Sequence, residues 1–164
     1  MRKLVAQELR ARRLVLHLKN AYPNPKSELK YKTPFQFLVA VILSAQCQDK
    51  AVNRLTETLF KKYKKPSCFA DAHPRVFEEE LSSIPFFRNK ARNIIATAKI
   101  ISQEFRGKIP RTAEALQKLP GVGYKTAHVV LGELFDSWEG IPTDTHVRRF
   151  AMRFDLTAHK DLMN

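Results

Sequence analysis

The sequence predicts an all-α protein, and three observations carry that reading. Apolar residues recur at three- and four-residue spacing through most of the 164-residue chain. Threonine or aspartate stands at the start of several such segments, once with proline directly behind it. No stretch alternates apolar and polar residues as a half-buried strand does, and neither an internal repeat nor a low-complexity segment interrupts the pattern.

The elements follow in order. Residues 4–22 form a basic amphipathic helix, stopped by Tyr22-Pro23-Asn24-Pro25. Thr33 then caps a helix with Pro34 at its first position. That helix, 35–45, is apolar on nearly every side and should be the most buried. Asp49 is placed as the cap of the next, which carries Val52, Leu55, Leu59 and Phe60 at helical spacing and runs into the solvated charge run 61–65. Short helices are expected over 68–72 and 75–81. A longer one covers 89–105, with Ile94, Ala98, Ile101 and Phe105 on one face and Gly107 as its stop. Thr112 caps a short helix ending near Leu119. A glycine turn leads into a helix over 124–135, and Asp144 caps a last helix with Val147, Phe150, Ala151 and Phe154 on its apolar face.

Composition bounds the function. The length allows one large domain or two small ones, and 44% apolar residues suffice for a folded core. Lysine and arginine outnumber the acids by 29 to 16, a net charge of +13. Such an excess implies a polyanionic partner, and nucleic acid fits because each neutralised phosphate releases counterions. No apolar run is long enough to span a bilayer, and the basic N-terminus lacks the apolar core of a secretory signal. An intracellular, cytoplasmic and nucleoid-associated location is expected. The two cysteines, Cys47 and Cys68, fit a reducing compartment and stand in no cluster with metal-ligand spacing, so no metal site is expected.

The chemistry concentrates in Leu119-Pro120-Gly121-Val122-Gly123-Tyr124-Lys125-Thr126 and in Asp144, nineteen positions after the lysine. A short helix, a Gly-Val-Gly turn and a second helix make a helix-hairpin-helix. Gly121 and Gly123 let the backbone turn tightly and approach a phosphate, at which the second helix points its positive end. Contacts of this kind read no base sequence. By itself the turn is equally a tight connection. Lys125 is either a phosphate-binding lysine or a nucleophilic amine. As a nucleophile it must first shed its proton, which desolvation or the positive helix end would favour. Asp144 is a helix cap and, compatibly, a fixed carboxylate able to stabilise positive charge on a sugar ring. His146 and Arg149 read as structural or phosphate-binding.

Leu119 to Ala127, Asp144-Thr145-His146 and Leu43-Ser44-Ala45-Gln46 together resemble endonuclease III, a DNA glycosylase/AP lyase of the helix-hairpin-helix glycosylase superfamily. The resemblance runs from about Ala21 onward. It implies a six-helix barrel domain at 22–137 and a partial second helical domain from 1–21 and 138–164, with DNA in the groove between. It further implies oxidised or ring-saturated pyrimidines flipped out of duplex DNA into a pocket. Lys125 would attack the sugar C1′, expel the base and form a Schiff base. β-Elimination would then nick the strand on its 3′ side, with Asp144 as the catalytic carboxylate. Gln46 matches the residue that fills the gap left by the flipped nucleotide. Phe86 matches a second wedge, usually leucine. From the residues alone, Gln46 is equally a helix-end amide bonded to backbone, and Phe86-Phe87 equally core.

Three departures and two rivals accompany the resemblance. Family members usually continue into a four-cysteine loop that holds a four-iron four-sulfur cluster, and none of those ligands is present here, which reads as a truncated sequence in preference to a cluster-free form. Tyr124 stands where the family often has a basic residue, and Gln48 where it often has threonine. A monomer acting on damaged or abasic duplex DNA is the expected form. The rivals are a non-catalytic helix-hairpin-helix DNA-binding module, which has no reason to pair Lys125 with Asp144, and a mismatch glycosylase without lyase activity.

Overall fold

The computed structural model describes residues 2–23 and 25–157. Among them, nine helices and no strand are found: α1 (Arg2–Ala21), α2 (Pro34–Ser44), α3 (Asp49–Lys62), α4 (Pro66–Ala70), α5 (Pro74–Glu80), α6 (Phe87–Gln103), α7 (Ala113–Gln117), α8 (Tyr124–Phe135) and α9 (Thr145–Arg153). The all-α fold class is therefore as expected. The chain divides into two compact units, Ser27–Ile141 and a second assembled from Met1–Lys26 and Pro142–Asn164.

The larger unit is built around α2. The Thr33 hydroxyl accepts from Gln36 N–H, and Pro34 occupies the first turn, where a missing N–H costs nothing. Every residue from Phe35 to Leu43 is buried, which is why the helix needs no polar face. Its one polar member, Gln36, accepts from Lys32 N–H at 2.9 Å. Around α2 pack Val52, Leu55 and Leu59 of α3, Phe69 of α4, Phe77 of α5, Ile94, Ala98 and Ile101 of α6, and Val130 and Leu131 of α8. Each of these side chains larger than alanine, removed from water, contributes about 1.5–3 kcal/mol. Phe69 gathers Phe35, Tyr63 and Phe77 in edge and tilted ring contacts with centroids 5.0–6.0 Å apart. A helix of five residues thus supplies an aromatic anchor.

Several helix ends differ from expectation. The cap of α3 is Gln48, and Asp49 sits inside the first turn, where its charge complements the helix dipole rather than bonding an N–H. Helices α4 and α5 begin at Pro66 and Pro74, because proline suits the first helical turn. Helix α6 starts at Phe87, two residues early. Its end is marked jointly by Arg106 and Gly107, both left-handed at φ 52° and 79°, with Gly107 N–H donating to Ile101 C=O at 2.8 Å.

In the smaller unit, Arg10 of α1 pairs with the Asp155 carboxylate at 2.7 Å, an exposed bridge of the kind that contributes under about 1 kcal/mol. Val5, Leu9, Val15 and Leu16 of α1 and Val147, Phe150 and Phe154 of α9 are all exposed. The last three belong to the apolar face expected for the last helix. No helix among the described residues is long and apolar enough to cross a membrane.

Candidate active site and nucleic-acid interface

Thr112 caps α7 by accepting from Ala115 N–H. The chain leaves that helix through Leu119 and Pro120 and enters α8 at Tyr124, which is the hairpin expected from the sequence. Its two glycines serve different ends. Gly121 is left-handed, φ +80°, and a β-carbon there would come within 3.0 Å of the Asn93 side chain. Gly123 has ordinary extended torsions and caps α8, but a β-carbon on it would meet nothing within 4 Å. The first glycine makes the turn, and the second leaves open approach to the helix start. Between them Val122 is buried as the hairpin's anchor. Helical geometry leaves the N–H groups of the first turn of α8 without intrahelical acceptors, so this opening suits an anion.

Lys125 stands in that first turn and is exposed, so the chain by itself does not desolvate the amine. The inward face of α8 is taken by Ala127, His128, Val130 and Leu131, and position 125 points elsewhere on the helical wheel. Positive potential from the helix end remains beside its amine.

Asp144 caps α9, as the sequence suggested. One carboxylate oxygen accepts from His146 N–H at 3.0 Å and Val147 N–H at 2.9 Å. The half-buried carboxylate is thereby fixed in direction. His146 and Arg149 are exposed on the same helix, with Arg149 Nη2 3.3 Å from His146 Nδ1. Arg148, Arg149 and Arg153 line a shallow depression with Thr145 and Met152. Arg148 and Arg153 were not singled out from sequence, because a charged helix face reads simply as solvated. Lys125 and Asp144 belong to different units.

Gln46 and Phe86 share an unusual backbone. Both are non-glycine residues in the left-handed region, at φ 53° and 58°, where an L-residue is held at a cost of about 1–2 kcal/mol. Gln46 is exposed just past the end of α2 and makes no side-chain hydrogen bond among the described residues. Phe86 is 61% exposed, whereas Phe87 packs against the core. Of the pair, Phe87 is the one that joins the core.

These features sort the roles. An exposed, strained aromatic contributes little to the fold. Phe86→Gly is thus expected to leave the melting temperature unchanged or raise it, rather than cost the roughly 3–5 kcal/mol of a core phenylalanine. Thermal denaturation followed by circular dichroism checks this, and a large drop would return Phe86 to the core.

Three residues that sequence reading passed over lie on α6. Lys90 is 5% exposed, and its ammonium donates to Leu43 C=O at the end of α2 at 2.9 Å. Burial pushes its pKa below the ordinary lysine value, with the nearby Cys47 opposing. Asn93 lies against Gly121. Thr97, fully buried, donates to Pro120 C=O at 2.8 Å. None has a local signal, because each partner is remote in sequence.

The donor set of the family's iron–sulfur cluster does not fit this chain. It takes four thiolates, and the sequence has two cysteines, Cys47 and Cys68, in separate segments. Among the described residues, no three His, Cys, Asp or Glu are placed to hold a metal ion.

Comparison with known proteins shows the family to which the chain belongs. Residues 39–163 match the family model described as HhH-GPD superfamily base excision DNA repair protein. The chain is 44% identical over 161 residues to Endonuclease III of Synechocystis sp., covering 98% of this chain and 74% of the relative. It is 43% identical to Endonuclease III of Bacillus subtilis, covering 85% of this chain and 64% of the relative. A solved structure of a non-covalent Endonuclease III–DNA complex superposes with a TM-score of 0.82 at 38% identity, over 87% of this chain and 66% of that one. A trapped covalent Endonuclease III–DNA intermediate gives the same TM-score and identity. The chain thus spans roughly two thirds to three quarters of these relatives.

Proposed function

Because the chain belongs to the endonuclease III family, within the HhH-GPD superfamily of base excision DNA repair proteins, we propose that it is a DNA glycosylase with AP lyase activity. Its substrate is duplex DNA bearing an oxidised pyrimidine or an abasic site. The hairpin seats a phosphate against the start of α8 without reading sequence, and the +13 charge steers the chain to the duplex. Gln46 and Phe86 enter the stack where a nucleotide has left it. His146 and Arg149, with Arg148 and Arg153 beside them, bind backbone phosphates. The protein works as a monomer, in the cytoplasm on nucleoid DNA.

In the chemical step the neutral Lys125 amine attacks C1′ of the flipped nucleotide. The bond to the base breaks, and its electron pair leaves with the base, which takes up a proton. Asp144, aimed by its two N–H bonds, stabilises the positive charge growing on the sugar and relays protons to and from the amine. Ring opening gives the Schiff base between Lys125 and C1′. Loss of a C2′ proton then expels the 3′ phosphate, which nicks the strand. Water finally releases Lys125.

The observation that carries this reading is the hairpin: a left-handed Gly121, an unobstructed Gly123 and a lysine exposed in the turn they open. DNA bound there would itself exclude water from the amine, which the chain alone leaves exposed. The test is a duplex with one oxidised, ring-saturated thymine, followed by base release and by strand nicking on a denaturing gel without alkali. Base release with a nick is expected. Binding without release would leave a DNA-binding module, and release that needs alkali for the nick would leave a monofunctional glycosylase.

A further inference from the structure

One face of α6 passes under every DNA-facing element of the larger unit. Phe86 precedes its first turn, and Lys90, Asn93 and Thr97 follow at four, seven and eleven residues, the spacing of a single helical stripe. Lys90 reaches the end of α2, three residues before Gln46. Asn93 and Thr97 support the hairpin at Gly121 and Pro120.

Lys90 is the least ordinary member of that stripe. A buried ammonium carries a desolvation cost that an apolar residue in its place would avoid. It donates to Leu43 C=O, one of the orphan carbonyls at the negative end of α2, from another helix altogether. The neighbouring carbonyls are satisfied locally: Ser44 Oγ donates to Val41 C=O, and Cys47 N–H to Ser44 C=O. One turn back along α6, the Lys90 N–H donates to Phe86 C=O at 3.1 Å. The same residue is therefore bonded, by side chain and by backbone, to the two segments that hold the left-handed residues.

We propose that Lys90 is a positioning residue, which locks the Gln46 turn to the Phe86 turn so that the two enter a duplex together. Recognition of a vacated nucleotide then depends on Lys90, although it touches no DNA. General grip on the duplex depends instead on the hairpin and hence on Thr97. This inference rests on the assignment of Gln46 and Phe86 as wedges under the proposed function.

The experiment uses the full chain and two duplexes of one sequence, one intact and one with a tetrahydrofuran abasic analogue, with affinities from fluorescence anisotropy. Lys90→Met keeps the length and apolar stem but removes the donor. It should weaken binding to the abasic duplex roughly tenfold or more, the range for a hydrogen bond to a charged group, and leave the intact duplex unaffected. Lys90→Arg, which restores a donor, should recover most of the loss. Thr97→Val should weaken both duplexes by a common factor. The proposal is overturned if Lys90→Met keeps its preference for the abasic duplex. It is equally overturned if that variant loses both duplexes in parallel or its cooperative helical melting, for the lysine then serves the core. If Gln46→Ala and Phe86→Ala leave the preference intact, the wedge assignment falls and takes this proposal with it. A preference lost in those variants but kept in Lys90→Met removes the proposal alone.

Discussion

Lys125→Gln is expected to abolish covalent capture of the protein on abasic-site DNA under borohydride. Borohydride reduces a Schiff base to a stable secondary amine, and a glutamine amide forms no Schiff base. Base release and nicking should fall by on the order of 10⁴-fold or more, as when an essential nucleophile is removed. The fold should not notice. Lys125 is exposed on the outer side of α8, and a surface change of this kind shifts stability by under about 0.5 kcal/mol. Affinity for intact duplex should also change little, because the hairpin backbone still meets the phosphate. A variant that still traps would reassign the nucleophile to another amine.

Asp144→Asn separates the capping role of this carboxylate from the catalytic role that the proposed function gives it. Asparagine caps a helix about as well as aspartate, so the bonds from His146 and Val147 N–H should survive. What disappears is the charge. Activity should drop by about 10²–10³-fold, the usual effect of removing one preorganised electrostatic contact to a developing charge. The melting temperature should move only by the lost interaction with the helix dipole, about 0.3–1 kcal/mol. Asp144→Ala loses the cap as well and should cost about 1 kcal/mol more. Equal activity in Asp144→Asn and the natural chain would show that the cap alone matters. Parallel pH–rate profiles and thermal melts of the two variants provide the comparison.

What the sequence disclosed depended on how local the determining interaction is. Thr33, Thr112 and Asp144 each bond an N–H two or three residues away, so the cap is written within a few letters. The hairpin is equally local, which is why its glycines, Lys125 and the family resemblance were legible. Asp49 was misplaced because Gln48 caps α3 by backbone geometry without a side-chain bond. The start of α6 was missed because a left-handed phenylalanine is a backbone state that sequence does not announce. Lys90 and Thr97 were invisible for another reason. Their partners, Leu43 and Pro120, lie 47 and 23 residues away, and only packing brings them together. Exposure of Lys125 and of the apolar residues of α9 likewise follows from packing rather than from periodicity.

The left-handed torsions at Gln46 and Phe86 bear on how the protein could be engineered. A screen that rewards heat resistance alone would favour glycine or asparagine at both positions, because these residues adopt such torsions with less strain. The winners would survive hotter assays yet have lost the side chains that the proposed function assigns to probing a duplex for missing nucleotides. Directed evolution of this scaffold therefore has to score repair and thermal endurance in the same round.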